Sequence, residues 1–228
     1  MYNQKEKELM ISMTLGDGSI CLTNGSYYLS MGHGELQEDY VNWKGNILNS
    51  AFHKNYKVRM KNIKNQKLKK TYKQFEYRFF SKNLKEIYDE LYINGKKTIS
   101  SNMLKGMKSD LSLAIWFMDD GSVFKRKRKH KDGSVYYDSP TLKLCTHCFS
   151  YEENILICNW FKRKYLIEPR ITSETKKGKT YYYIYFIKND SKKIFDLCKR
   201  YIIQIPSMIK KFSWFFEFYN YDTSIKAH

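Results

Sequence analysis

Two apolar segments of the sequence each end on an aspartate followed by a glycine. One covers residues 111–123 (LSLAIWFMDDGSV), and the other covers residues 8–20 (ELMISMTLGDGSI). Glycine and aspartate are common where a helix passes into a turn, so a single segment of this kind predicts only a helix end. The pattern occurs twice, however, and Asp17 and Asp120 hold the same position in both copies. The repetition indicates that the two carboxylates share a chemical role.

These two carboxylates would lie where their negative charge is disfavoured. The C-terminal end of a helix carries the negative end of its dipole, and the preceding apolar side chains offer no solvation. If the two helices pack side by side, Asp17 and Asp120 would also repel each other. A divalent cation relieves both effects, and oxygen ligands suit Mg²⁺ or another hard ion. The residues alone therefore predict a metal site at two paired helix ends.

The two segments resemble the nonapeptide motif of the LAGLIDADG homing endonucleases, which ends in an acid and a glycine. Residues 10–18 (MISMTLGDG) form one copy, and residues 113–121 (LAIWFMDDG) form the closer one. The string SLAIWFMDDG is similar to the single-chain, intron-encoded branch of that family. Each helix keeps one small residue where the family favours two, with isoleucine at the other position: Ile11 and Ser12 in the first, Ala114 and Ile115 in the second.

The resemblance implies a site-specific homing endonuclease that makes metal-dependent double-strand breaks at a long, asymmetric DNA target. Two or more Mg²⁺ ions, which Mn²⁺ can replace, would bind the carboxylates of Asp17 and Asp120 and the backbone carbonyl groups of Gly16 and Asp119. The side chain of Asp119 would support the turn after its helix. Two alternatives use the same scaffold: a maturase that binds its own intron RNA, and a DNA-binding regulator without catalysis. Regulators usually lose the acids, so the presence of both favours the enzyme.

Two further segments, INGKKTISSN and IPSMIKKF, are similar to segments that each supply one basic residue to the active site in this branch. Position by position, the resemblance implies Lys97 and Lys211. These side chains would orient the attacking water or neutralise charge on the phosphate. In so basic a chain, a solvated surface charge is the alternative for any one lysine.

An internal repeat of roughly 100 residues organises the chain. Asp17 and Asp120 are 103 positions apart, while LKEIYDELY (84–92) and SKKIFDLCKRY (191–201) align at a separation of 107. Each half is predicted to contain a helix, two strands, a helix, two strands and a helix, with a hairpin turn at Asn24-Gly25 in the first half. With the resemblance, this predicts an α+β fold of two pseudo-symmetric αββαββα subdomains, residues 1–104 and 105–228, joined by a linker over 96–110. The motif helices would pair at the centre, and antiparallel sheets would form a saddle for DNA.

Composition agrees with a polyanionic partner. A net charge of +18 and a pI near 9.5 fit nucleic acid, or an anionic membrane surface, as the binding partner.

No apolar run approaches the roughly 20 residues that a membrane span needs, and the N-terminus has no apolar signal segment. The odd number of cysteines, five, indicates reduced thiols in an intracellular compartment. Richness in Lys, Asn, Ile and Tyr suggests an organelle (mitochondrion or chloroplast) or the cytoplasm of a low-GC bacterium or its phage. We expect a monomer that binds double-stranded DNA.

One short stretch, CTHC, raises the possibility of zinc. Cys145, His147 and Cys148 lack the second pair of ligands that a structural zinc site normally has, because the other cysteines are isolated. We therefore predict that residues 143–148 form a strand whose alternate residues face DNA and the core.

Basic residues alternate in YKVRM and form a continuous run in FKRKRKH, so strands there would present a charged face to a DNA groove. We predict strands over residues 122–130 and 136–147, joined by the turn Asp132-Gly133-Ser134, with the basic run 125–131 gripping the DNA backbone. A solvated charge cluster is the alternative for that run. The tyrosine-rich strand 181–186 is expected to pack and not to stack on bases. The predicted DNA contacts are Lys57, Arg59, Lys61, Arg78, Lys125, Arg126, Lys127, Arg128, Lys129, His130, Lys143 and Arg170.

Overall fold

The computed structural model describes residues 1–65 and 69–223. Its first half contains the helices α1 (Gln4–Leu15), α2 (Glu38–Phe52) and α3 (Leu84–Leu91). The strands of this half are β1 (Ser19–Thr23), β2 (Ser26–Gly34), β3 (Arg59–Asn65) and β4 (Lys70–Phe80), followed by the short pair β5 (Tyr92–Ile93) and β6 (Lys96–Lys97). A 3-10 turn, Glu35–Gln37, leads into α2.

The second half repeats this order with additions. Its helices are α4 (Ser101–Gly106), α5 (Asp110–Asp120), α6 (Tyr151–Tyr165), α7 (Lys188–Ile202), α8 (Pro206–Lys211) and α9 (Ser213–Tyr219). Its strands are β7 (Gly121–Phe124), β8 (Lys127–Lys129), β9 (Val135–Tyr137), β10 (Thr141–Leu144), β11 (Arg170–Lys176) and β12 (Lys179–Phe186).

Each half contributes one four-stranded antiparallel sheet. The first sheet has the order β1-β2-β4-β3, and the second, read in the matching direction, has the order β7-β10-β12-β11. Equivalent strands take equivalent places, so the predicted α+β fold with two pseudo-symmetric αββαββα units is confirmed. The turn at Asn24-Gly25 joins β1 to β2 as predicted, with both residues at positive φ.

The pairing register fixes which residues of the two halves correspond. Ser19 pairs with Ser30 in the first sheet, and Ser122 pairs with Lys143 in the second. Ser19 and Ser122 are 103 positions apart, whereas Ser30 and Lys143 are 113 apart. The second half therefore carries ten more residues between these two strands, and the inserted residues include the β8–β9 hairpin.

Because of this insertion, the prediction of continuous strands over 122–130 and 136–147 is wrong. The strand β7 ends at Phe124, which pairs with Thr141, and the residue before Thr141 is Pro140. Proline has no backbone N–H, so the ladder cannot continue past it. The chain then leaves the main sheet and forms the separate two-stranded β8–β9 ribbon, whose residues are all exposed. The turn 132–134 closes that ribbon as predicted, with Gly133 at φ +86°.

The prediction of a strand over 143–148 is also wrong beyond Leu144, where β10 ends. The backbone N–H of Cys145 donates to the carbonyl oxygen of Asp120 at 2.9 Å, and the N–H of Phe149 donates to Thr146 at 3.0 Å. The first bond follows the register of β7 and β10, and the second closes a turn over residues 146–149, so the strand does not reach residue 148.

The motif helices α1 and α5 pack against each other at the centre of the molecule. Residues 8–15 of α1 and 112–119 of α5 are buried without interruption. A helix that is buried all round needs no polar face, which explains the unbroken apolar run of the second motif. Asn3 caps the start of α1 and Ser109 caps the start of α5, each through its side-chain oxygen.

The segment 96–110, predicted as a linker, has regular structure. It contains β6 and α4, and the predicted boundary between residues 104 and 105 falls inside α4. Among the described residues, no helix is both long enough and apolar enough to cross a membrane.

Candidate active site

The C-terminal ends of α1 and α5 meet at Gly16 and Asp119. A Cβ atom placed on Gly16 would lie 2.3 Å from Oδ2 of Asp119 and 2.5 Å from its Cβ. Only glycine leaves room for the Asp119 side chain at this crossing. The backbone N–H of Asp17 donates a 3.1 Å hydrogen bond to the same Oδ2 atom. The two motif ends are therefore joined directly.

This arrangement corrects one prediction about Asp119. Its side chain does not support its own turn but reaches across to the end of the other motif helix. Its Oδ1 accepts a 2.9 Å hydrogen bond from Nζ of Lys44, and both side chains are completely buried. Burial alone would raise the pKa of Asp119, but the positive charge of Lys44 holds that pKa below its usual range.

Lys44 has a second partner in His33. Its Nζ lies 2.7 Å from Nε2 of His33, and Nδ1 of the ring lies 3.1 Å from Oε1 of Gln37. Burial, followed by the nearby charge of Lys44, lowers the pKa of His33. A neutral ring with its hydrogen on Nδ1 satisfies both contacts, since Nε2 then accepts from the ammonium group and Nδ1 donates to the amide oxygen.

The carboxyl group of Asp120 is largely removed from solvent and lies near two other carboxylates. Burial and the negative charges of Asp119 and Asp17 raise the pKa of Asp120 to about 7, although the charges of Lys97 and Lys211 act in the opposite direction. A carboxylate that is hard to ionise at neutral pH would be stabilised by a further positive charge.

Lys97 and Lys211 reach the two motif ends in a pseudo-symmetric way. Nζ of Lys97 donates to the carbonyl oxygens of Gly16 and Gly18 at 2.9 and 3.1 Å. Nζ of Lys211 donates to the carbonyl oxygens of Met118 and Asp119 at 2.7 and 2.9 Å. Burial lowers the pKa of both lysines. The structure thus brings both sequence-predicted lysines to the predicted acids.

Different elements deliver the two lysines. Lys97 lies on β6, which pairs with β5 across a tight turn at Asn94-Gly95 where both residues have positive φ. Lys211 is the last residue of α8. The separation of 114 positions between Lys97 and Lys211, compared with 103 between the acids, is the net result of length differences between the two halves, which include the ten residues inserted between β7 and β10.

Oxygen donors dominate the site. Within residues 1–65 and 69–223, one group of three metal-binding side chains has ligand atoms within 4.8 Å of one another: Asp17, His33 and Asp119. Asp17 is partly accessible, with 43% of its side chain exposed. Asp119 is already paired with Lys44, so Asp17 and Asp120 are the carboxylates left to hold a cation. Carboxylates and carbonyl groups are the ligands that Mg²⁺ prefers.

His33 and Lys44 were not among the sequence-predicted site residues. A signal for Lys44 exists, since it lies on the buried stripe of α2 between Tyr40 and Leu48, four positions from each. A lysine on an apolar stripe needs a buried acid as partner. The sequence does not identify that acid, because Asp119 is 75 positions away.

The outer face of the first sheet, opposite the core, carries predicted DNA contacts. Register places Arg59, Lys61 and Arg78 on this face. Glu76 lies among them and pairs with both Lys61 and Arg78, which lowers the net charge there. Lys57 is exposed in the connection between α2 and β3.

The outer face of the second sheet is more aromatic. Lys143 and Arg170 lie on it, both opposite Tyr185 in the neighbouring strand. Nζ of Lys143 lies 3.5 Å from the ring centre of Tyr183. In β12, Ile184 and Phe186 face the core, whereas Tyr183 and Tyr185 lie on the partly exposed outer face. The tyrosine-rich strand therefore packs on one side only.

The basic run on the β8–β9 ribbon is exposed from Lys125 to His130. Three of its residues have partners within the chain, and one of these is His130, whose ring centre lies 4.3 Å from that of Tyr136. Nε of Arg128 pairs with Asp138 at 2.9 Å, and Nζ of Lys125 lies 3.8 Å from the ring centre of Trp214. Within the described residues, Arg126, Lys127 and Lys129 have no such ion pair and can contact an external polyanion.

Comparison with known proteins gives three findings. The model of the LAGLIDADG DNA endonuclease family matches residues 7–194. The chain is 31% identical over 141 residues to "Probable intron-encoded DNA endonuclease 3" of Mycosarcoma maydis, covering 60% of this chain and 90% of that protein. It is 26% identical over 182 residues to "Protein RecA" of Mycolicibacterium flavescens, covering 78% of this chain and 40% of the relative. The chain thus spans about two fifths of the length of this RecA relative.

A solved structure shares the fold. The homing endonuclease I-WcaI, bound to its DNA recognition sequence, aligns with a TM-score of 0.71 and 23% identity. The alignment covers 92% of this chain and 86% of that chain.

Proposed function

Since the chain belongs to the LAGLIDADG DNA endonuclease family, we propose that it is a site-specific endonuclease that makes metal-dependent double-strand breaks at a long, asymmetric DNA target. The observation that supports this most directly is the meeting of two motif ends with a lysine on each. Lys97 and Lys211 donate to the carbonyl oxygens next to the two predicted catalytic acids.

Asp17 and Asp120, with the carbonyl groups of Gly16 and Asp119, would hold two or more Mg²⁺ ions, which Mn²⁺ can replace. The donor set fits, because these are hard oxygen ligands, and burial together with the charges of Asp119 and Asp17 raises the pKa of Asp120, which a bound cation would offset. When bound, such ions activate water and stabilise negative charge on the leaving oxygen. One acid for each strand accounts for two cuts by one chain.

Lys97 and Lys211 would act from the sides of the site. Each ammonium group has three donors and uses two of them on backbone carbonyl groups. The third donor is available for a water molecule or a phosphate oxygen. A buried ammonium at this position would orient the water or stabilise the extra charge of the reacting phosphate.

The basic outer faces would bind double-stranded DNA, with residues 1–104 and 105–228 each contacting one half of the target. The two faces differ in chemistry, since the first carries Arg59, Lys61 and Arg78 and the second carries Lys143 and Arg170 among tyrosines. Two different faces fit a target without symmetry.

The test begins with selection of a bound duplex from a randomised library by the wild-type chain in EDTA. Adding Mg²⁺ should then cut both strands of that duplex at fixed positions. A duplex that is bound specifically but never cut with Mg²⁺ or Mn²⁺ would favour a DNA-binding regulator and contradict the proposal.

A further inference from the structure

Different contacts position the backbones of the two predicted catalytic acids, Asp17 and Asp120. Asp120 is the last residue of α5, so its backbone belongs to the helix. The helix α1 ends at Leu15, two residues before Asp17. The backbone N–H of Asp17 is instead held by the side chain of Asp119, at 3.1 Å.

The Asp119 side chain is itself fixed from two directions. Lys44 donates to its Oδ1 at 2.9 Å, and His33 lies 2.7 Å from the same ammonium group. We call His33, Lys44 and Asp119 the buried triad. The missing side chain of Gly16 leaves the space that Asp119 fills, since a Cβ atom there would lie 2.3 Å from Oδ2.

The other half of the molecule, within the residues that the structure describes, has no equivalent of the buried triad. Strand register places Thr146 at the position that corresponds to His33, 113 residues later. The helices α2 and α6 also begin 113 residues apart, so Ile157 corresponds to Lys44. Both residues are fully buried, and Thr146 bonds to Asn154 within its own half. The motif alignment places Gly16 opposite Asp119, and glycine cannot return the contact.

We propose that the buried triad is a positioning unit that holds the backbone of Asp17 and thereby makes the two halves of the active site unequal. This inference rests on the proposed endonuclease function. Lys44 donates to Oδ1 of Asp119 and so fixes the carboxylate with its other oxygen directed at the Asp17 amide. Loss of the buried triad should therefore impair the part of the site that depends on Asp17 more than the part that depends on Asp120.

The test compares the rates at which the two DNA strands are cut. The substrate is the duplex selected by the wild-type chain, labelled on both strands and cut under single-turnover conditions with saturating enzyme. Asp17→Asn and Asp120→Asn first identify the strand that each acid affects more. The main variant, Lys44→Met/Asp119→Ala, removes the hydrogen bond to Asp17 without leaving an unpaired charge in the interior. Asp119→Asn is the conservative variant and guards against a fold that fails to form.

We expect the double variant to cut the Asp17-dependent strand about 10- to 100-fold more slowly relative to the other strand, so that nicked DNA accumulates. Asp119→Asn should shift the ratio in the same direction by less. Affinity for the duplex should stay within about threefold of the wild type, because the phosphate-binding lysines are unchanged.

Glu8→Gln is the matched control, since Glu8 also joins the two motif helices through hydrogen bonds, but at the start of α5 and away from the two acids. It should lower stability without changing the strand ratio. If the two triad variants slow both strands equally, or if Glu8→Gln gives the same bias, the buried triad is only structural and the inference is wrong. If the wild type does not cut, or if Asp17→Asn and Asp120→Asn cut normally, the proposed function has failed instead.

Discussion

Glu8 accepts a 2.6 Å hydrogen bond from the backbone nitrogen of Ser109, which joins the middle of the first motif helix to the beginning of the second. The same Oε1 atom accepts bonds from the N–H of Lys108 and the hydroxyl groups of Ser109 and Ser112. The carboxylate also meets the positive end of the α5 dipole. The two motif helices are thus linked by a carboxylate near each end of α5, by Glu8 at its start and by Asp119 at its C-terminal end.

The first prediction concerns this link. Burial alone would raise the pKa of Glu8, but the hydrogen bonds from Ser109, Ser112 and Lys108 lower it. The ionised form therefore stabilises the fold above the pKa of Glu8 in the unfolded chain, and this contribution is lost as the pH falls through the lower folded value. Glu8→Gln should lower the free energy of unfolding by about 1–3 kcal/mol at pH 7. Urea unfolding at pH 7 and pH 4 should show the difference shrinking at the lower pH.

A second prediction concerns the acids themselves. Asp17→Asn or Asp120→Asn removes a proposed metal ligand and should slow cleavage of at least one strand by about 100-fold or more, because Lewis-acid stabilisation contributes several kcal/mol. Binding of the selected duplex should persist, since the basic faces are intact. The matched control is Asp132→Asn, which lies in a similar Asp-Gly-Ser sequence on the exposed ribbon turn. Full double-strand cutting by both acid variants would contradict the catalytic assignment.

A third prediction follows from the pKa of Asp120, which burial and the neighbouring acids raise to about 7. A carboxyl group with a raised folded pKa weakens the fold as the pH rises from its unfolded value, near 4, to about 7. Without metal, Asp120→Asn should therefore be more stable than the wild type at pH 8 and similar to it at pH 4. Mg²⁺ should stabilise the wild type at pH 8 much more than the variant. Thermal unfolding with and without Mg²⁺ measures both effects, and an equal gain for both proteins would argue against Asp120 as a ligand.

Elements that depend on residues close in the chain form as predicted. These elements are the motif helices, the Asn24-Gly25 turn and the ribbon turn at 132–134. The approach of Lys97 and Lys211 was predicted from family resemblance alone. Their sequence separation could not have given it, because one lysine lies on a short strand and the other on a short helix.

The contacts that the sequence did not reveal cross between the halves. The direction of the Asp119 side chain depends on how closely two helices approach at Gly16, and no local pattern encodes that distance. The partner of Lys44 is equally hidden, although its position on the buried stripe of α2 shows that it needs one. The split of the predicted strand 122–130 was readable in part, since Pro140 interrupts any ladder opposite Lys125.

The last prediction concerns the exposed basic ribbon. Lys127 and Lys129 lie on β8 and are exposed, without an ion pair among the described residues, whereas Arg128 is paired with Asp138. If both lysines bind phosphates, Lys127→Ala/Lys129→Ala should make the slope of log K against log salt shallower by up to about 1.8, or about 0.9 for each phosphate that is no longer neutralised. Affinity at low salt should fall for selected and random duplexes alike, because phosphate contacts carry no sequence information. Arg126→Ala should instead relax the preference at a few base pairs, at about 1–3 kcal/mol if the guanidinium group makes a bidentate contact with a base.

Lys162→Ala is the matched control, since this exposed lysine of α6 pairs with Glu168 and lies outside both sheets and the ribbon. Titrations of the four proteins against both duplexes at several salt concentrations separate these effects. An unchanged slope in the double lysine variant would mean that the ribbon is a solvated tip, and the phosphate contacts would then have to come from the outer faces of the two sheets.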